Sequence, residues 1–115
     1  MSMDLAKLLE EKRIISELRS SNNQEAIEEL INHLCDNNFL PIEEKFETIE
    51  KLITREDKTT TGIGSGVAIP HITSDAVEST LMIFGRSTEG LDFESIDNNP
   101  VNFVILFLIP TCNDN

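Results

Sequence analysis

The ten residues VNFVILFLIP, 101–110, decide the fold. They are apolar almost without interruption, rich in Val, Ile and Phe, and half as long as the ~20 residues a membrane-spanning helix needs. Such a run reads as a central strand buried on both faces, which requires helices on either side of a sheet. The stretches 81–86 (LMIFGR) and 14–18 (IISEL) have the same β-like composition, and 67–69 (VAI) adds a short fourth candidate. The expected fold class is therefore α/β: a mixed β-sheet flanked by helices on both faces, a three-layer α/β/α sandwich.

Working outward, residues 23–36 predict a helix. Ser21 and Asn22 offer N-caps, and Ile27, Leu30, Ile31 and Leu34 follow the 3.6-residue period until Asn37 and Asn38 interrupt it. Pro41 suits the first turn of a second helix, which should run to Arg55 or Glu56. Its expected buried stripe is Ile42, Phe46, Ile49 and Ile53, with Leu52 alongside and Glu43, Glu44, Glu47 and Glu50 facing water.

One hundred and fifteen residues make one globular domain. A net charge of -12 argues against nucleic acid or an anionic membrane as partner, since both are polyanions. With six Phe and no Trp or Tyr, the chain also offers little stacking surface for single strands. Cys35 and Cys112 are two isolated cysteines, which form neither a disulfide framework nor a zinc site and fit a reducing cytoplasm. No metal, cofactor or membrane insertion is expected.

The texture changes at TTTGIGSGVAIPH, 59–71, which holds three of the five glycines. Gly62, Gly64 and Gly66 have a spacing that serves either a phosphate-cradling loop or a tight turn at positive φ. The dinucleotide pattern fails at Val67, no Lys-Ser/Thr follows to make a Walker loop, and Ser65 lacks the glycines of a nucleophile elbow. His71 ends the loop behind Pro70, with open space around its ring, and is either a structural histidine or a reactive one. His33 lies off the apolar stripe of its helix and is expected at the surface.

Together with ITRED at 53–57, this stretch closely resembles the phosphoacceptor region of enzyme IIA domains of the fructose/mannitol type, from the bacterial sugar phosphotransferase system. The matching residues are the helix-closing pair Arg55-Glu56, then Thr61, Gly64 and Gly66, and the ending Ala68 to His71. Nitrogen-regulatory paralogues share the pattern, and the likeness extends over essentially the whole chain. At Ile72-Thr73 the chain departs from relatives that carry glycine or a basic residue after the histidine.

The resemblance implies that Nε2 of His71 takes a phosphoryl group from the phosphohistidine of HPr or a nitrogen-branch HPr. The group then passes to a cysteine of an enzyme IIB, or its presence regulates a target protein. A chain without membrane segments leans toward the nitrogen-regulatory type. Such transfer is governed by positioning and charge stabilisation. Arg55 is the expected counter-charge, although a helix C-terminal arginine can also serve only the macrodipole. Thr61 and the amides of Ser65, Gly66 and Val67 are further candidates for binding the phosphoryl oxygens.

Relatives of this kind continue past the final strand into a helix carrying a second histidine. Residues 1–115 are therefore expected to be a single domain lacking its C-terminal helices. Because Phe103, Ile105 and Phe107 alternate across the sheet, one face should stay partly uncovered. The chain would then form a homodimer through it or belong to a longer parent.

Overall fold

The computed structural model describes residues 13–111. Six strands and two long helices follow one another: β1 (Ile14–Ile15), α1 (Asn23–Asp36), a 3-10 turn (Ile42–Glu44), α2 (Lys45–Lys58), β2 (Gly62–Gly64), β3 (Val67–Ala68), β4 (His71–Ser74), β5 (Leu81–Leu91) and β6 (Val101–Pro110). The apolar run of 101–110 is the central strand. It pairs antiparallel with β5 on one side and parallel with both β3 and β4 on the other, in the order β1-β5-β6-β3-β2 with β4 also on β6.

Alternation along the strands sorts the sheet into two faces. Leu81 lies opposite Leu108, Ile83 opposite Leu106 and Gly85 opposite Val104, and the side chains of Leu81, Ile83, Val104, Leu106 and Leu108 share one buried cluster with residues of both helices. The opposite face carries Phe84, Phe103, Ile105 and Phe107, with Phe103 still 40% exposed. The mixed sheet with helices is thus as expected. Both described helices cover the same face, so residues 13–111 do not build the expected helical layer on the other one.

Helix α1 spans the expected 23–36. Asn22 caps it by accepting from the Glu25 N–H at 2.9 Å, while Glu25 reaches back to the Ser21 N–H at 3.0 Å. Ala26, Ile27, Leu30, Ile31, Leu34 and Cys35 are its buried residues. His33 is half-buried rather than on the open surface, because it sits in the last turn beside this stripe.

Helix α2 corrects the sequence reading. Pro41 opens only the 3-10 turn, and the α-helix runs on to Lys58, beyond Arg55 and Glu56. Its buried residues are Thr48, Leu52 and Glu56, spaced i, i+4, i+8. The expected stripe is inward only in part: Leu52 is buried and Ile49 and Ile53 are half-buried against the core, but Ile42 is 60% and Phe46 84% exposed.

The strand ends also differ from expectation. β1 stops at Ile15, because Leu18 turns inward and its side chain lies over Gly85, where an added Cβ would come within 2.9 Å of it. β5 continues five residues past Arg86, with Ser87 buried and Arg86 and Thr88 exposed in alternation. β4 is polar and short, and parallel pairing with β6 is what makes it a strand.

Candidate functional site

His71 begins β4 directly opposite Phe107 of β6, and its ring is exposed. Proline at 70 donates no N–H, yet its carbonyl accepts from the Phe107 N–H at 3.0 Å, which seats the strand on β6. Nδ1 of the ring lies 2.8 Å from the Ile69 carbonyl oxygen. A carbonyl can only accept, so the proton belongs on Nδ1, and Nε2 carries the free lone pair in the neutral ring.

The Ile69 backbone is itself held: its N–H donates to the Thr61 carbonyl at 3.1 Å. Thr61 is buried and fully engaged by the last turns of α2. Its N–H donates to Glu56 Oε2 at 2.7 Å and its Oγ1 to Glu56 Oε1 at 2.7 Å. Thr60 Oγ1 also lies within bonding distance of Glu56 Oε2, at 3.2 Å, and of the Phe93 carbonyl, at 2.7 Å. Arg55, half-buried beside Glu56 in sequence, donates from Nη1 to the Thr59 carbonyl at 2.7 Å. That bond uses one of the five guanidinium donors. The end of α2, the segment 59–61 and the strand bearing His71 are thereby linked, and α2 packs against β4.

The glycines form a different feature. β2 and β3 are antiparallel and joined by the two residues Ser65 and Gly66, with φ of 58° and 78°, the two positive values of a type I′ hairpin turn. Gly64, at φ 104°, absorbs the register shift just before it. The Ser65 N–H donates to Asp97 Oδ2 at 3.1 Å, and the Gly66 carbonyl accepts from the N–H groups of Asn102 and Phe103. Hydrogen bonds from the Asn99 amide and then from Ser65 hold the Asp97 carboxyl below the usual aspartate range.

Val67 lies opposite Phe103 and His71 opposite Phe107. At ~3.3 Å per residue the turn is therefore about 13–17 Å from the ring along β6. The structure does not bring Ser65, Gly66 and Val67 together with His71, and of the two readings of the glycine spacing the tight turn is the one observed. Thr61 is near the histidine, but its hydroxyl is committed to Glu56. In the sequence pattern Glu56 enters only as half of the helix-closing pair Arg55-Glu56, with no contact assigned to it. Its position four residues after Leu52 and eight after Thr48 placed it on the buried face.

Among the described residues no group of three or more His, Cys, Asp or Glu is placed to hold a metal ion, and no helix is long and apolar enough to cross a membrane.

Comparison with known proteins adds the following. The family model described as "Phosphoenolpyruvate-dependent sugar phosphotransferase system, EIIA 2" matches residues 7–115. A fructose-specific EIIA component of Haloferax volcanii is 36% identical over 69 residues, which cover 60% of this chain and 45% of that protein. A nitrogen regulatory protein of Bradyrhizobium diazoefficiens is 32% identical over 108 residues, covering 94% of this chain and 69% of that one. The fold matches the crystal structure of nitrogen regulatory protein IIA-Ntr from Neisseria meningitidis with a TM-score of 0.82 at 27% identity, over 95% of this chain and 73% of that chain. This chain thus spans under half the length of the first of these relatives and about 70% of the other two.

Proposed function

The chain belongs to the EIIA 2 family of the phosphoenolpyruvate-dependent sugar phosphotransferase system, and from that premise we propose that it is a phosphohistidine carrier that accepts its phosphoryl group on Nε2 of His71. The observation that carries this reading is the 2.8 Å contact between Nδ1 and the Ile69 carbonyl, which leaves Nε2 as the nucleophile on an exposed ring.

In the transfer, the Nε2 lone pair attacks phosphorus in line. The new N–P bond forms as the N–P bond of the donor phosphohistidine breaks, and the bonding pair returns to the donor ring. No proton leaves His71, because its proton stays on Nδ1. The positive charge that grows on the ring is met by the Ile69 carbonyl. Arg55 supplies the positive charge for the phosphoryl oxygens through donors left over from its bond to Thr59.

The donor is HPr or a nitrogen-branch HPr, whose docking face would be basic to match a chain of net charge -12. Such donors place the carrier in the cytoplasm. The nitrogen-regulatory type is favoured by a relative of that name that matches 94% of this chain over most of its own length. A fructose-type role, relaying phosphate to an enzyme IIB, is the second reading, supported by the fructose-specific relative.

The test is incubation with the general phosphotransferase proteins of each branch and phosphoenolpyruvate. Wild type should gain the mass of one phosphoryl group and His71→Ala none. Arg55→Gln should transfer about a hundredfold more slowly, and Arg55→Lys should recover part of the loss. A His71→Ala chain that still accepts phosphate would sink the proposal.

A further inference from the structure

We infer that Glu56 is a positioning residue for His71, acting through Thr61 and Ile69 without touching the ring. The inference rests on the reading of His71 as phosphoacceptor and adds the group that sets its tautomer. Glu56 is only 5% exposed, on the face of α2 that packs inward. A carboxylate so little exposed persists where its lone pairs are satisfied. Here both donors come from one residue, the Thr61 N–H to Oε2 and the Thr61 hydroxyl to Oε1, while the single proton of the Thr60 hydroxyl goes to the closer Phe93 carbonyl. Both oxygens therefore grip Thr61 in a single orientation.

That orientation matters because the next bond leaves from the same residue. The Thr61 carbonyl accepts from the Ile69 N–H at 3.1 Å, and the Ile69 carbonyl meets Nδ1 of His71 at 2.8 Å. Three hydrogen-bonded links thus run from a fixed helix to the imidazole. Pro70 allows little slack between the last carbonyl and the ring, since it fixes φ and biases Ile69 toward extended backbone. If Thr61 rotates, the Ile69 carbonyl loses its alignment with Nδ1, and with it goes the contact that selects which nitrogen holds the proton. Packing alone would be served as well by an apolar residue at this point of the face, as Leu52 shows one turn earlier.

The experiment is nitrogen NMR of the unphosphorylated full chain with 15N-labelled histidine, beside the phosphoryl-acceptance rate and a thermal melt. Wild type should show His71 protonated at Nδ1 in its neutral form. In Glu56→Gln one acceptor oxygen becomes an NH2 that cannot take the Thr61 donors. The Nε2–H tautomer should then appear, and acceptance should slow by about ten- to a hundredfold. Thr61→Val should shift the tautomers in the same direction, and Thr61→Ser should restore them.

A folded Glu56→Gln with the wild-type tautomer and rate overturns the inference and leaves Glu56 as a helix anchor. Should Glu56→Gln fail to fold, an unchanged tautomer in Thr61→Val overturns it equally. The tautomer needs no phosphoryl donor to be observed. A shifted tautomer in the variants beside a wild-type chain that never accepts phosphate would therefore sink the carrier reading and leave the link from Glu56 to the ring standing.

Discussion

Helices α1 and α2 are both fourteen residues long and both amphipathic in sequence, yet α1 buries its whole apolar stripe and α2 only part of its own. In α1 the stripe Ile27, Leu30, Ile31 and Leu34 is the buried face. In α2 Phe46 looks outward and Ile49 and Ile53 only flank the core, while Thr48, Leu52 and Glu56 look inward. Periodicity identifies the inward face where hydrophobic burial is the only demand on a helix. α2 must also hold segment 59–61, and a carboxylate that receives the N–H and the hydroxyl of Thr61 can occupy the inward face in place of an apolar side chain.

Substitutions can break this contrast. Leu30→Ala on α1 should cost the most, about 2–5 kcal/mol in denaturant unfolding, because a fully buried side chain leaves a cavity. Phe46→Ser on α2 should change stability by no more than about 0.5 kcal/mol, since the ring is 84% exposed. A loss comparable to that of Leu30→Ala would mean that Phe46 is covered in solution, and the two helices would then be alike.

The smallest effect belongs to the hairpin turn. The Asp97 carboxyl is lowered in the folded chain, so the folded state binds this proton more weakly than the unfolded state. The linked stabilisation is complete above the ordinary aspartate value of about 3.9 and is lost as pH falls through the lowered one. Asp97→Asn should remove that part of the stability change between about pH 6 and about pH 3. Identical pH profiles for variant and wild type would show that the turn does not depend on the charge.

The stretch 59–71 divides along similar lines. The proline-histidine ending marked the exposed ring correctly, because a proline before a strand and space around an imidazole are local properties. The glycine spacing was ambiguous, since positive φ serves an anion cradle and a hairpin turn equally. Pairing of β3 with β6 resolved it by setting Ser65 and Gly66 about four to five residues along β6 from His71. The bonds from Thr61 to Glu56 were not legible, because the spacing from Leu52 can mark an inward face but does not name the donors that a carboxylate there will meet.

By itself the sequence determined the central strand 101–110, the extent and inward face of α1, and the stretch that ends in His71. Each of these depends on the hydrophobicity or backbone preference of neighbouring residues, which the order of the chain already contains. Only the tertiary structure decided the rotation of α2, the length of β5, the existence of β4 as a strand and the placing of both helices on one face of the sheet. Those outcomes depend on partners distant in sequence: Phe107 for His71, Val101 for Leu91, and Phe93 for Thr60 beyond the end of α2. Hydrogen bonds between distant residues satisfy buried polar groups that no local pattern can pair in advance.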